Sequence, residues 1–276
     1  MTAPYSLVAF KSVNNDSNHA GLFISPDGIH AYQYGQSNER LYEYTMATPW
    51  DVTSMTFTRQ SAELYIHSNE ATDLHITSDG LKLFLLGSDA KRVSEYSMSI
   101  AWNISTLAWV KDSTLTGTTP RGLTFSGDGT KMYTVDYNRN CYEYTLSTPW
   151  DIATKSLTYT LLMNVGAYYP FGLWISVDGK RIFCIGTAEN LIIRYDLGTA
   201  FDLSTGVYIE EFSIDNIDYP PVSYPIYGIF YSPDESKMYL TATHDTLNGW
   251  YIFESDSVPI SLSLFWTNFN CQTEIA

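Results

Sequence analysis

The sequence contains few cysteines and few basic residues. Three cysteines occur in 276 residues, none of them in a Cys-x-x-Cys pair, and an odd number leaves one without a partner. A disulfide framework is therefore not expected, and Cys141 and Cys184, which fall inside predicted strands, are predicted to be small core residues. Lysine and arginine number 15 against 30 aspartates and glutamates, so the net charge is −15. Such an acidic surface repels phosphate, and binding to nucleic acid or to anionic membranes is not expected.

Long apolar runs and targeting signals are also missing. No apolar stretch reaches the roughly 18 residues that a membrane-spanning helix needs. The N-terminal segment MTAPYSLVAF lacks a basic region followed by a long apolar run, so no secretory signal peptide is expected. These features predict synthesis in a cytoplasm without membrane insertion.

Short motifs of catalytic and cofactor sites are not found. The sequence has no His-Glu-x-x-His, no calcium-loop pattern, no Gly-x-Ser-x-Gly and no glycine-rich phosphate loop. The five histidines are scattered along the chain: His19, His30, His67, His75 and His244. We therefore predict no metal and no cofactor. His75 lies in a predicted inner strand and is predicted to be a hydrogen-bonded core residue.

The strongest positive signal is one repeat of about fifty residues in five copies. Each copy carries a turn of the Ser/Thr-x-Asp-Gly type after a short apolar segment. The five segments are GLFISPDG (21–28), DLHITSDG (73–80), GLTFSGDG (122–129), GLWISVDG (172–179) and GIFYSPDE (228–235). Aspartate tolerates turn geometry and glycine adopts positive φ. The repeated aspartates are therefore interpreted as turn residues and not as a fivefold binding site.

A second motif follows the first in each copy. LYEYTMATPWDV (41–52) matches CYEYTLSTPWDI (141–152), and VSEYSMSIAWNI (93–104) and IIRYDLGTAFDL (193–204) are weaker copies. The fifth copy keeps only WYIFE (250–254). The recurring tryptophans Trp50, Trp102 and Trp150 are predicted to pack at the c–d corner. A ring of equivalent ligand pockets at these corners is the alternative.

Each repeat is predicted to form four antiparallel strands, named a to d in chain order. In the third copy they are Leu123–Ser126, Lys131–Val135, Cys141–Leu146 and Ser156–Met163. Repetition of such sheets around an axis gives an all-β, five-bladed β-propeller. The chain is predicted to be a single domain over 1–276, with repeats at about 21–72, 73–121, 122–171, 172–227 and 228–266 and a tail at 267–276.

Two segments compete to close the ring. Tyr5–Lys11 resembles a strand d and is predicted to complete blade five, with 1–20 forming the closing strand and its loop, which hides a sheet edge. Ile260–Trp266 has alternating apolar residues and could close the blade instead. Whichever segment is left over could contact a partner.

Strand order places the a–b turns and c–d corners on one face of the propeller and the b–c and d–a loops on the other. The first set is nearly constant between copies, whereas the second differs in every copy, and divergent loops are where a scaffold carries function. Aromatic rings flanked by polar groups suit sugar recognition. The predicted ligand-binding residues are Tyr137, Arg139, Tyr168, Tyr169, Phe171, Tyr219, Tyr224, Tyr227, Asp73 and Arg121. The alternative is that these tyrosines cover neighbouring blades.

A glycosidase is the enzymatic alternative, because paired carboxylates at a channel mouth could cleave a glycosidic bond. Among the predicted starts of the inner strands only Asp73 is acidic. The loop acids Asp16, Glu70, Asp215 and Asp218 could converge, but their spacing does not fix the required separation. We therefore predict a non-enzymatic protein with no catalytic residues.

The repeat resembles a family found in propeller proteins of marine bacteria and their phages. The resemblance rests on GDGTKMY (127–133) followed by YEYTLSTPWD (142–151), and on SPDESKMY (232–239), and it covers essentially residues 21–255. Blade five departs from the pattern, since Glu235 replaces glycine and the Thr-Pro-Trp-Asp corner is missing.

The resemblance implies a virion component, because several members of the family are encoded among virion or tail genes. The expected protein is a phage tail or capsid-surface protein that binds host surface glycan or another virion protein. Its expected location is the virion after synthesis in the host cytoplasm, or the cytoplasm itself. A purely structural spacer that inserts a terminal strand into a larger assembly is the third possibility.

Overall fold

The computed structural model describes residues 5–13, 15–64, 70–164, 169–186, 191–213, 226–242 and 249–255. Within these ranges the chain forms twenty strands in five four-stranded antiparallel sheets, and four single-turn 3₁₀ segments. The sheets are arranged as a five-bladed β-propeller, as the repeat predicts. No helix in the described part of the chain is long and apolar enough to cross a membrane.

The strands of each blade follow one another along the chain. Blade one is β2 (His19–Ile24), β3 (His30–Gly35), β4 (Arg40–Met46) and β5 (Met55–Gln60). Blade two is β6 (Ala71–Ile76), β7 (Lys82–Gly87), β8 (Arg92–Met98) and β9 (Leu107–Thr114). Blade three is β10 (Pro120–Phe125), β11 (Lys131–Asp136), β12 (Asn140–Leu146) and β13 (Lys155–Leu162). Blade four is β14 (Pro170–Ile175), β15 (Arg181–Gly186), β16 (Leu191–Leu197) and β17 (Gly206–Ser213).

Blade five combines both ends of the described chain. It contains β18 (Ile226–Tyr231), β19 (Lys237–Ala242) and β20 (Gly249–Ser255), and its outer strand is β1 (Tyr5–Ser12). β1 runs antiparallel to β20. The prediction that Tyr5–Lys11 completes blade five is therefore confirmed, and the competing segment Ile260–Trp266 lies outside the described residues.

The turn between strands a and b is held by its own aspartate. In blade three the Ser126 hydroxyl donates to Asp128 Oδ1 at 2.7 Å, and the Thr130 N–H donates to the same oxygen at 3.0 Å. The equivalent pair of hydrogen bonds forms in the other four blades. These contacts confirm that the repeated aspartates are turn residues, because their carboxylates are used within the turn.

The corner between strands c and d packs on the a–b turn of its own blade. The Trp150 N–H donates to the Gly129 carbonyl at 3.0 Å, and the indole ring covers Gly129, whose φ is +71°. A Cβ at position 129 would lie 2.3 Å from the Trp150 ring, so only glycine fits under it. The corner aromatic residue itself adopts positive φ in blades one to four. The tryptophans therefore pack as the sequence predicts.

Adjacent blades are joined by hydrogen bonds from strands b and c to the next corner. The Tyr133 hydroxyl of blade three donates to the Phe201 carbonyl of blade four at 2.6 Å. In the same interface Glu143 Oε2 accepts from the Leu203 N–H at 2.7 Å. These bonds satisfy backbone groups that would otherwise be buried without partners at the blade interface.

The apolar core lies between neighbouring blades rather than at the axis. Buried side chains form a cluster at each blade interface, and the cluster between blades three and four contains Cys141 and Cys184. Both cysteines are buried and free, which confirms their predicted role as small core residues. Burial of this kind raises the pKa of each thiol and makes it a poor nucleophile.

Candidate functional site

The loops separate onto two faces as the strand order predicts. The Tyr137 N–H donates to the Thr119 carbonyl at 2.9 Å, which joins a b–c loop to a d–a loop. We name this side the divergent face. On the opposite side the corners bond to the a–b turns, and we name it the turn face.

Two tyrosines of the divergent face stack on each other. The ring centroids of Tyr137 and Tyr169 are 4.1 Å apart, with an interplanar angle of 15°. Tyr137 lies in the b–c loop of blade three, and Tyr169 immediately precedes strand β14 of blade four. Their exposed fractions are 38% and 46%. The pair therefore presents aromatic surface to solvent while each ring holds the other in place.

Arg121 lies between this tyrosine pair and the residues at the divergent-face end of the propeller's central channel. Its guanidinium carbon lies 4.7 Å from the Phe171 ring centroid and 6.0 Å from that of Tyr137. Phe171 meets Tyr227 edge to face at 5.2 Å. Arg121, Phe171 and Tyr227 stand near the starts of the inner strands of blades three, four and five. Five predicted site residues are thus brought together, and we name Arg121, Tyr137, Tyr169, Phe171 and Tyr227 the aromatic cluster.

A buried carboxylate fixes the loop that carries Tyr137. Asp136 accepts from the Thr118 N–H at 3.1 Å, the Asn140 N–H at 2.9 Å and the Tyr142 hydroxyl at 2.9 Å. Burial acts to raise the pKa of Asp136, but these hydrogen bonds hold it below its usual value. The loop is therefore rigid, and Tyr137 is presented at a fixed place.

The other predicted site residues have different surroundings. Arg139 occupies the same b–c turn with φ at +71°, and its carbonyl accepts from the Met163 N–H at 2.8 Å. Asp73 lies inside the ring rather than on the divergent surface. Tyr168, Tyr219 and Tyr224 lie outside the described residues.

Asp73 occupies the position that glycine holds in the other four inner strands. Its Oδ1 accepts from the Leu74 N–H at 2.9 Å, and its Oδ2 accepts from the Leu123 N–H at 2.8 Å. The Leu173 N–H lies close enough to act on the pKa of this carboxyl. Burial raises the pKa of Asp73 to about 8, although the three amides act to lower it. One side chain thus accepts hydrogen bonds from inner-strand amides of blades two and three.

Close packing between the inner strands explains why the counterparts of Asp73 are glycines. A Cβ at Gly21 would lie 2.6 Å from Asp73 Oδ1. A Cβ at Gly122 would lie 2.9 Å from Leu173, and one at Gly228 would lie 2.8 Å from Thr241, so neighbouring strands also crowd this position.

Above Asp73 the channel widens into a cavity of about 170 Å³ that opens on the turn face. Its walls are the side chains two residues after the glycine or Asp73 position of each inner strand. These residues are Phe23, His75, Thr124, Trp174 and Phe230. The a–b turns form the rim. The sequence contains a pattern that indicates this site. The residue at the wall position varies among the five copies, whereas the residues directly before and after it in the strand are always apolar.

His75 departs from its sequence prediction. It lies in an inner strand as expected, but its imidazole has no hydrogen-bond partner among the described residues, and it is partly exposed to the cavity. The ring contacts Phe23 at 5.4 Å, Phe125 at 5.0 Å and Trp150 at 5.8 Å between centroids. The prediction of a hydrogen-bonded core histidine is wrong, because these neighbours offer aromatic faces instead of polar atoms.

Two of the acids considered for glycoside cleavage, Asp16 and Asp73, are engaged by backbone amides. Asp73 is bonded to backbone amides, and Asp16 accepts from the N–H groups of Asn18, Ser37 and Asn38. Asp215 and Asp218 lie outside the described residues. The same part of the chain holds no group of three His, Cys, Asp or Glu side chains that could bind a metal ion.

Comparisons with known proteins support the fold alone. No family model and no curated protein matches the sequence. One similar solved structure is a functionally unknown protein from Desulfotomaculum acetoxidans, with 16% identity and a TM-score of 0.52 over 83% of this chain and 67% of that one. Another is a proposed 6-phosphogluconolactonase from Bacteroides uniformis, with 16% identity and a TM-score of 0.53 over 90% of this chain and 69% of that one.

Proposed function

We propose that this protein is a non-enzymatic binding module whose divergent face recognises a sugar on a cell surface. The observation that carries the proposal is the exposed, stacked pair of Tyr137 and Tyr169 beside Arg121. An aromatic ring binds the apolar face of a pyranose, while a tyrosine hydroxyl and a guanidinium reach its hydroxyl groups.

Rigidity of the cluster supports a binding role. Each tyrosine restrains the other, and Asp136 fixes the loop below Tyr137, so little side-chain entropy remains to be lost when a ligand binds. The chain as a whole is acidic, with a net charge of −15, which favours a neutral or cationic ligand over a phosphorylated or sulfated one.

We propose further that the module is a phage tail or capsid-surface protein and that its ligand is a host glycan. This part of the proposal rests on the repeat resemblance. Binding to another virion protein through the same face is the competing outcome. β1 would not be free to act as a docking strand, because it is paired with β20.

A glycan-array assay on the purified protein tests the proposal. The expected result is binding to a limited set of neutral glycans that is lost in a Tyr137→Ala/Tyr169→Ala variant. No glycan binding, combined with capture of a virion protein by the wild type and not by the variant, would replace the sugar with a protein ligand. Absence of both kinds of binding would contradict a recognition role for the aromatic cluster.

A further inference from the structure

The cavity on the turn face has the shape of a ligand site separate from the aromatic cluster. It is lined by the inner strands and the a–b turns, whereas the aromatic cluster lies on the divergent face. Its volume of about 170 Å³ is close to the roughly 150 Å³ of an engineered protein cavity that binds benzene. The space therefore fits one small ring.

The walls select for an apolar, uncharged molecule. Phe23, Trp174 and Phe230 supply three aromatic side chains, and Phe23 and Phe230 meet edge to face at 5.3 Å. Asp73 and His75 are the titratable groups that line the cavity. The carboxyl oxygens of Asp73 accept from backbone amides, and burial raises the pKa of Asp73 to about 8 and lowers that of His75 to about 3, so both groups are mainly neutral at pH 7. Neither group offers a free charge to a ligand.

His75 supplies a polar group that the protein itself does not use. A neutral imidazole carries one N–H donor and one nitrogen acceptor, and no described residue hydrogen-bonds to either. Because the imidazole is partly exposed to the cavity, a ligand or a water molecule there can hydrogen-bond to it. Phenylalanine stands at the equivalent position in blades one and five, so an aromatic side chain without polar atoms also fits the ring.

We propose that this channel cavity binds a small uncharged aromatic molecule carrying one hydroxyl or N–H group, which stacks among Phe23, Trp174 and Phe230 and hydrogen-bonds to His75. The ligand class follows from the cavity volume, the aromatic walls and the unpartnered imidazole of His75.

Phenol and benzyl alcohol are the probes for the test, with toluene as an analogue that lacks a hydrogen-bonding group and benzoate as a charged analogue. Binding is measured by ligand-observed NMR and by the shift of the thermal midpoint. Phenol and benzyl alcohol are expected to bind the wild type, whereas benzoate is not. His75→Phe should weaken phenol binding about three- to tenfold, as expected for loss of one hydrogen bond, and leave toluene binding unchanged.

Tyr137→Ala is the matched control, because it alters the opposite face and should leave phenol binding unchanged. The proposal is overturned if neither phenol nor benzyl alcohol binds the folded wild type. It is also overturned if His75→Phe weakens phenol and toluene binding equally, because the histidine then acts only through cavity shape. If phenol binding is not found, the proposal that the aromatic cluster binds sugar is unaffected, because the two sites are tested separately.

Discussion

The hydroxyl group of Tyr239 in blade five donates a 2.8 Å hydrogen bond to the carbonyl oxygen of Trp50 in blade one. The two residues are 189 positions apart in the chain, and their contact joins the last repeat to the first. It repeats the contact of Tyr133 with Phe201, so the ring closes through the same interaction that links its internal blades.

Removal of this hydroxyl should weaken ring closure. Tyr239→Phe keeps the ring and leaves the Trp50 carbonyl without its partner, which should lower the free energy of unfolding by about 1–2 kcal/mol in a urea titration. Tyr133→Phe should cost a similar amount. Tyr159→Phe, at an exposed tyrosine, is the control and should be neutral. An unchanged stability of Tyr239→Phe would show that apolar packing alone closes the ring.

Replacing either of two glycines in one turn by alanine should have different effects on the stability of the protein. Gly129 has φ at +71° and lies under Trp150, so Gly129→Ala should destabilise the protein by about 2–4 kcal/mol. Gly127 is exposed and has nothing within 4 Å of a Cβ, so Gly127→Ala should be neutral or stabilising by up to about 1 kcal/mol. Thermal or urea unfolding measures both. Equal effects would contradict the packing of the corner on the turn.

The Asp73 carboxyl should protect the inner-edge amides. Asp73→Gly restores the residue found in the other blades but removes the acceptor for the Leu123 N–H, and should cost about 2–4 kcal/mol. Hydrogen exchange at the Leu123 and Leu173 amides should accelerate. Asp73→Asn retains one acceptor oxygen, so its stability should lie between that of the wild type and that of Asp73→Gly. Slow exchange of both amides in Asp73→Gly would show that the carboxyl is dispensable.

Acid should destabilise the wild type partly through His75. Burial lowers the pKa of His75 to about 3, whereas an unfolded histidine has a pKa of about 6.5. The unfolded state therefore binds more protons between these values, and the stability that the neutral histidine contributes is lost as the pH falls from about 6.5 towards 3. His75→Phe should be more stable than the wild type, by a margin that grows over this window in urea titrations. A margin that is constant with pH would contradict a neutral, buried imidazole.

The architecture could be predicted because its rules are local and repeated. The Ser126–Asp128 turn and the Trp150 corner each depend on residues that are close in sequence. The recurrence of these motifs along the chain therefore indicates five blades. The closing strand was also predictable, since Tyr5–Lys11 has the pattern of a missing strand d. Strand β10 begins at Pro120, three residues before its predicted start at Leu123, because its first residues pair near the axis with the end of β11.

The sites were less predictable, because they form between residues of different repeats. The divergence of the loops indicated the face that holds Tyr137, Tyr169 and Arg121, but not that the two tyrosines stack. Asp73 appeared as an acid at the start of an inner strand, and only the ring brings it to the amide of Leu123. His75 appeared as a core residue, because the sequence does not show that all five wall positions face one cavity.

The central claim is tested most directly with one glycan that has been selected on the array. Its binding to three proteins is measured. The wild type, the Tyr137→Ala/Tyr169→Ala variant and a Trp109→Ala variant are titrated by isothermal calorimetry at equal concentration. Trp109 is the control because it is an exposed aromatic residue on the outer strand of blade two, with an exposed fraction of 59%. The account predicts that the double variant binds at least tenfold more weakly and that Trp109→Ala binds like the wild type. Equal affinity of all three proteins would contradict the assignment of the site to the aromatic cluster.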